Sequence, residues 1–389
     1  MSSATAGGER RKVLVAGGGV AALETVLALA DLAPGSCDVT MIAPDAEFRY
    51  RPMSVQEPFA HAAARSYPLA PIAADAGAKL VTDKLVWVDR AAQTVHTEAG
   101  ASIDYDALVL AVGARANARY EHAVTIEDTR MDEILHGIIQ DVEAGYITRL
   151  TFLAPARMAW PLPLYELALL TAGRAYDMGA DLSITLITPE DGPLAIFGET
   201  ASSAVSGLLT QAGIETISSA YAEVPSSGRI VINPGDRELS TDRVIALPEL
   251  YGPAVRGVPL SEHGFLRTTP YGEVLDAPHI YAAGDCTEFP VKHGGVSSQQ
   301  ADSVAQSIAA DAGAPVMAEP FHPVIHGMLL TAGAPLYLTA RITGGQGFSS
   351  EVSDSPTWDP PGKIAARYLA PYLASLDLKG LASSSAPSD

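Results

Sequence analysis

"VLVAGGGVAALE" occupies residues 13–24, and its reading decides the fold. An apolar run of strand character passes straight into three glycines and then into a stretch that favours helix. Gly17, Gly19 and Ala22 meet the G-x-G-x-x-G/A pattern in the context it needs, a strand before and a helix after. Gly17 allows the tight turn, Gly19 brings backbone up to phosphate oxygens with no Cβ in the way, and small Ala22 lets the helix lie close on the strand. The N–H groups of Gly19, Val20, Ala21 and Ala22 then face a pyrophosphate, aided by a helix dipole worth about 0.3–1 kcal/mol. The pattern predicts a bound dinucleotide without saying which.

Outward from this loop, periodicity predicts a strand at 12–16, a helix at 20–31 and a strand at 38–43, a βαβ opening that implies a parallel sheet. The acidic residue that normally holds the ribose hydroxyls should close the second strand, yet Ala43 stands there; Asp45, two residues on, is the nearest substitute. Short strands and turns follow over 80–112. A second βαβ pattern runs from "RLTFLAP" (149–155) through "PLYELALLTAGRAYDMG" to "ADLSITLITPE", then hairpin-like strands reach about 262. "HIYAAGD" (279–285) reads as a strand and 296–311 as a helix. Near the end, "PGKIAARYLAPYLASL" sets Ile364, Tyr368 and Tyr372 four apart beside Ala365, Leu369 and Leu373, which predicts an apolar helical face. The second βαβ unit lacks the glycines. "FLAPARMAWPLPLYELALL" has Pro155, Pro161 and Pro163, which remove N–H donors, and Met158 and Trp160, which fill space a pyrophosphate needs. A nicotinamide nucleotide bound in the usual way is disfavoured.

Composition excludes other classes. Among 389 residues, 25 Lys and Arg stand against 45 Asp and Glu, a net charge of −20 that repels nucleic acid and anionic lipid. No apolar run reaches the ~20 residues a membrane helix needs, and "MSSATAGGERR" lacks the apolar core of a signal peptide. The expectation is cytoplasmic. Cys37 and Cys286 are far apart, in neither redox-disulfide nor zinc spacing, and no metal site is expected.

Three further stretches resemble the two-dinucleotide-domain flavoproteins. "YDALVLAVGA" (105–114), with Val112 and Gly113, is similar to the strand and glycine that return the chain to the flavin domain in that superfamily. "IYAAGDCTEFP" (280–290) resembles its late A-x-G-D motif, in which Gly284 and Asp285 would meet the ribityl chain. "KHGGVSSQQADSVAQSI" resembles the following helix, whose N-terminal Gly295 and Val296 would face the pyrimidine side of the flavin. The resemblance implies non-covalent FAD, with Leu85 and Arg51 added to its contacts, and an α/β fold. That fold has two Rossmann-like FAD/NAD(P)-binding domains of the three-layer ββα type and a C-terminal segment. Expected boundaries are a flexible 1–11, an FAD domain at 12–115 and 263–315, and a degenerate second domain at 116–262. A C-terminal interface segment at 316–379 and a disordered 380–389 complete the chain.

Within the superfamily, the proline-rich second unit resembles the branch of sulfide:quinone oxidoreductases, flavocytochrome c sulfide dehydrogenases and type 2 NADH:quinone oxidoreductases. Its redox cysteine pair is missing here, so sulfide oxidation through such a pair is unsupported. The resemblance marks four candidate catalytic residues. Lys292 would place positive charge beside the reduced flavin, Glu166 resembles a carboxylate near the flavin, His293 could carry a proton, and Gln299, with Gln300, could line an acceptor pocket. Each also has a bland reading: a solvated lysine, a helix-start acid, a passive loop histidine, polar helix residues. Arg49 and Arg51 could meet phosphate or an anionic substrate, or could pair with Glu47 and Glu57. The implied function is FAD-dependent transfer of electrons between a small organic donor and a quinone or other acceptor. The alternatives are an NAD(P)H:acceptor reductase and a non-catalytic flavin-fold binding protein. The apolar C-terminal face suits packing or a homodimer better than a membrane contact.

Overall fold

The structure is a computed structural model and describes residues 10–59, 64–126, 131–158, 160–342, 348–380 and 383–384. The expectations of flexibility for 1–9 and of disorder for 381–382 and 385–389 lie outside the described residues.

The opening strand is Arg11–Ala16, so Arg11 belongs to the sheet rather than to a loose N-terminus, and its side chain pairs with Asp311 at 3.4 Å. Five strands, in the order Ile280–Ala282, Ala107–Leu110, Arg11–Ala16, Cys37–Ala43 and Lys79–Thr82, run parallel. Alternation along the first strand sorts two cores, because successive strand side chains point to opposite faces. Val13 and Val15 pack with the leading helix (Val20–Leu32) and the late helix (Gly294–Asp311). Leu14 and Ala16 pack with Val88 and Val95 of an antiparallel layer built from Leu85–Asp89, Thr94–Thr97 and Ser102–Asp104. The result is a three-layer ββα unit. The strand expected at 279–285 is confined to 280–282, and the late helix begins at Gly294, two residues earlier than 296.

A second unit repeats the plan. Its parallel sheet, in the order Val124–Thr125, Arg243–Ala246, Arg149–Leu153, Ser183–Ile187 and Glu215–Ile217, carries Phe152 into a core with the second-unit helix (Leu162–Met178). Its neighbour Leu153 faces the meander Tyr221–Ser226, Arg229–Asn233 and Arg237–Ser240. Antiparallel pairing of Arg115–Asn117 with Glu249–Tyr251 marks the chain's passage out of and back to the first unit.

The C-terminal part adds an antiparallel sheet of Val324–Leu329, Leu336–Ile342 and Phe348–Ser353. The apolar helical face expected across 361–376 is a helix only over Leu369–Leu378. The preceding residues are irregular: Lys363 pairs with buried Glu166, and Ile364 N–H donates to the Tyr50 hydroxyl at 3.0 Å. Pro371 falls in the first helical turn, where no intrahelical donor is lost. Leu369, Leu373 and Leu376 enter the core of the first unit, so this apolar face is covered by its own chain rather than left open for a partner. Ser383–Ser384 pair with Arg65–Ser66 as a short strand, which corrects the expectation of disorder at those two positions. No described helix is long and apolar enough to cross a membrane.

Candidate functional site

Gly17 sits at φ +141°, and a Cβ on it would lie 2.2 Å from the carbonyl oxygen of Ala111. Only glycine allows the first strand and the Ala107–Leu110 strand to close this tightly. Its N–H donates to the Ile42 carbonyl at 2.8 Å, which locks the turn. Gly19 caps the leading helix with extended backbone and no side-chain hydrogen bond, and a Cβ there would meet nothing within 4 Å. The first-turn N–H groups of Val20, Ala21 and Ala22 have no hydrogen-bond partner among the described residues, and the space beside Gly19 is open. That is the cradle a pyrophosphate requires. Gly113, at φ +73° past the Ala107–Leu110 strand, also borders open space beside Val112.

Gly284 (φ +83°) places the late A-x-G-D motif against the same turn: a Cβ there would approach Ala21 Cβ to 3.1 Å. The half-buried Asp285 follows, and Ser297 Oγ reaches its Oδ1 at 3.5 Å. Gly295 and Val296 are buried in the first turn of the late helix, whose cap residue His293 makes no side-chain capping bond. Two helix N-termini without side-chain caps therefore converge, one after the central strand and one after the edge strand Ile280–Ala282, and the donor chemistry suits a dinucleotide with an anionic reduced ring.

The remaining expectations divide. Asp45 is exposed in the bend after Ala43, and Arg51 is exposed at the start of a 3-10 turn over Arg51–Phe59. Arg49 is committed to Glu57 at 2.8 Å, the pairing considered from sequence. Leu85 lies in the antiparallel layer, packed on the Leu14 side of the sheet, away from the glycine turn. Parallel register instead brings Thr82 beside Ala43, with Asp83 N–H donating to the Ala43 carbonyl at 3.0 Å. The end of that edge strand therefore borders the same turn, a neighbour the sequence reading did not name.

Lys292 is not solvated. Its ammonium donates to the carbonyls of Thr287 and Phe289 and lies 4.3 Å from the Phe265 ring centroid. Burial pulls it down to about 8. The charge thus ties the loop that leads into the late helix. Gln299 is likewise spent on backbone: its amide accepts from Val324 N–H at 2.9 Å and donates to Val324 O at 2.8 Å. Gln300 accepts from Gly284 N–H at 2.7 Å. Both glutamines position strands instead of presenting free amides to an acceptor, although Gln299 still edges a cleft described below.

Glu166 is fully buried, as is its partner Lys363, and the two form an ion pair in which Glu166 Oε1 also accepts from Leu330 N–H at 2.8 Å. Glu166 Oε2 has no partner. Burial pushes the carboxyl up and the ammonium down, while the ion pair and its hydrogen bond hold each in its charged form. His293 stacks on Trp160 with ring centroids 4.4 Å apart, and its Nδ1 is buried without a partner. Burial, with Lys363 and His326 nearby, pushes the imidazole down to about 3 and keeps it neutral. It is therefore a hydrogen-bonding group rather than a proton carrier near neutral pH. Trp160 also contacts Phe197. It stands immediately before Pro161, the cap of the second-unit helix, where the first unit has its glycine turn.

Neither cysteine is in a disulfide. Cys286 Sγ is buried and donates to the Leu110 carbonyl at 3.1 Å, and burial pushes the thiol up to about 12. A thiolate there is unavailable near neutral pH. Cys286→Ala should accordingly leave flavin reduction and reoxidation rates within about twofold of the parent and cost about 1 kcal/mol in a urea titration. A large loss of rate would assign the thiol a chemical role.

Lys363, in a stretch read only for its apolar spacing, and Glu24, an acid inside the apolar "AALETVLAL", are the buried charges that sequence reading passed over. A charge within an apolar run is the available signal, since it needs a distant partner.

The model of a family described as pyridine nucleotide-disulphide oxidoreductase matches residues 11–134 and 166–309. A curated sulfide-quinone reductase of Aquifex aeolicus is 26% identical over 271 residues, 63% of this chain and 60% of the relative, so the match spans about three-fifths of that protein's length. Among solved structures, the sulfide:quinone oxidoreductase of Aquifex aeolicus superposes with a TM-score of 0.78 at 20% identity, over 95% of this chain and 91% of the other. A ferredoxin reductase of Rhodopseudomonas palustris gives 0.65 at 18% identity, over 88% of each. At these identities the structural likeness shows the fold.

Proposed function

The chain belongs to the pyridine nucleotide-disulphide oxidoreductase family, and on that footing we propose that it passes electrons from a small organic donor to a quinone or similar acceptor through non-covalent FAD. FAD is the cofactor of this flavoprotein branch, and the Gly17–Ala22 cradle, Gly284–Asp285 and the start of the late helix are the residues that would hold it. Bound there, it supplies reversible two-electron chemistry. The observation that carries the reading is the contrast between the two units: an open, uncapped turn at Gly19, and a proline-capped helix start preceded by Trp160 at the second. That contrast supports a donor other than a nicotinamide nucleotide. The two unpaired cysteines speak against a disulfide as the intermediate carrier.

On the acceptor side, a cleft of about 340 Å³ lies between the late helix, the Val324–Leu329 strand and residues 359–367. Lys363, two residues before the cleft-lining Ala365, forms the buried ion pair with Glu166 of the second-unit helix. A quinone takes up two protons with two electrons, so an ionisable pair close to the cleft suits the reaction.

Absorption and anaerobic mixing test this. The purified protein should show flavin bands. NADH and NADPH should bleach them slowly, and flavin reduced by dithionite should be reoxidised rapidly by a soluble quinone. Fast bleaching by either nucleotide would favour the NAD(P)H:acceptor reading, and a protein that neither holds nor takes up FAD would end both.

A further inference from the structure

His326 and Thr339 stand opposite each other in the antiparallel pairing of Val324–Leu329 with Leu336–Ile342, so their side chains share one face of that sheet. His326 Nδ1 lies 3.1 Å from the Thr339 hydroxyl, which in turn lies 3.1 Å from the hydroxyl of Thr357. Thr339 is buried, whereas Thr357 is exposed in the segment after the third strand, Phe348–Ser353. The hydrogen bonds therefore run unbroken from the surface inward. They end at the half-buried His326, which lines the cleft of about 340 Å³. Trp358 packs on the imidazole with ring centroids 4.8 Å apart, and its indole N–H donates to the Gly362 carbonyl at 2.8 Å, so the ring is held in place. Nε2, the other ring nitrogen, has no hydrogen-bond partner among the described residues. Ser298, also in the lining, donates to the Gly295 carbonyl at 3.0 Å, so the cleft adjoins the helix start that would meet the flavin.

We propose that Thr357, Thr339 and His326 form a relay that carries a proton from solvent to a quinone oxygen in the cleft, a role that rests on the acceptor reading given above.

Each link can pass a proton on. A hydroxyl donates one hydrogen while accepting another, and a neutral imidazole carries an N–H on one nitrogen and a lone pair on the other. Burial, with Arg341 nearby, pushes His326 down to about 4, so the ring is neutral near pH 7 and keeps that lone pair. With both hydroxyl hydrogens directed inward, Nδ1 accepts from Thr339 and the ring hydrogen sits on Nε2. In one passage the Nε2–H bond breaks as an O–H bond forms on the quinone. Nδ1 takes the proton of Thr339, Thr339 takes that of Thr357, and Thr357 takes one from water. The ring ends neutral with its hydrogen on Nδ1, and exchange with water in the vacated cleft restores the first tautomer. Reduction of a quinone to a hydroquinone takes two electrons, which come from the reduced cofactor, and two protons. The relay brings one proton from solvent; the cofactor itself or the Glu166–Lys363 side supplies the other.

Stopped-flow reoxidation of the dithionite-reduced flavoprotein tests the relay with two oxidants: menadione, a quinone without a tail, and ferricyanide, which takes single electrons and no proton. Thr339→Val keeps the side chain's shape and removes the middle hydroxyl. It should slow the reaction with saturating menadione at least about tenfold and leave the ferricyanide rate within about twofold of the parent. Thr339→Ser restores the hydroxyl and should recover most of the menadione rate. His326→Gln keeps an amide near the Nε2 position but cannot pass a proton between two nitrogens; it should slow menadione at least about tenfold with the ferricyanide rate retained, which carries the test if Thr339→Val folds poorly. A Thr339→Val protein as fast as the parent with menadione, or variants in which both oxidants slow together, overturn the relay alone. A parent whose reduced flavin menadione fails to reoxidise overturns the quinone reading, and the relay with it.

Discussion

Gly17→Ala is expected to yield a chain that purifies without FAD and melts well below the parent, whereas Gly19→Ala should fold normally and lose only cofactor affinity. At Gly17 the new Cβ would lie 2.2 Å from the Ala111 oxygen and 2.7 Å from its carbonyl carbon, and the residue would be held at φ +141°. Backbone strain of this kind costs about 1–3 kcal/mol before the clash is counted. Relief requires the first strand and the Ala107–Leu110 strand to part at the very point where the turn is made. A total of more than about 3 kcal/mol corresponds to a fall of roughly 6–12 °C for a domain of this size. At Gly19 the Cβ would enter space that no protein atom occupies within 4 Å, so the FAD-stripped variant should melt within about 1–2 °C of the stripped parent. Bound flavin per chain, and melting of the stripped forms, separate the two effects. A Gly17→Ala protein with a full complement of FAD would show that the turn is not the cofactor's seat.

Lys363→Met should cost about 3–5 kcal/mol in denaturant, because it leaves the fully buried Glu166 carboxylate with only the Leu330 N–H at Oε1 and nothing at Oε2. Protonation of Glu166, already pushed up by burial, would recover part of this at low pH. The deficit should therefore grow as pH rises through the raised value. A Glu166→Gln, Lys363→Met double variant, with no charge to bury, should regain most of the lost stability. If the pair also supplies a proton to a reduced acceptor, the double variant should reoxidise its flavin with quinone slowly despite its restored fold. Restored stability with full reoxidation rate would make the pair a structural one, and a single variant as stable as the parent would remove even that role.

Much of this molecule is legible in residue order. The glycine turn, the two βαβ units and the want of glycines in the second unit follow from local rules: strand alternation, helix-forming runs, and the absence of a Cβ or an N–H at named positions; the three-layer plan came from the family resemblance. Gly17, Gly19, Gly284 and the start of the late helix lie where those rules put them. Polar side chains were read less well. Lys292 and Gln299 have the chemistry expected of a site but spend it on carbonyls and amides of nearby backbone. His293 is held neutral by its surroundings.

What order along the chain determined, then, is the frame and the loop that receives a dinucleotide, since both depend on neighbours within a few residues. Tertiary structure alone decided which charges are buried and with whom. Glu24 meets the backbone of Arg367 more than 340 positions away, and Glu166 meets Lys363 across 197. A carboxyl group's proton affinity depends on the water it loses and the charges it faces in three dimensions, and neither quantity is written in the residues beside it.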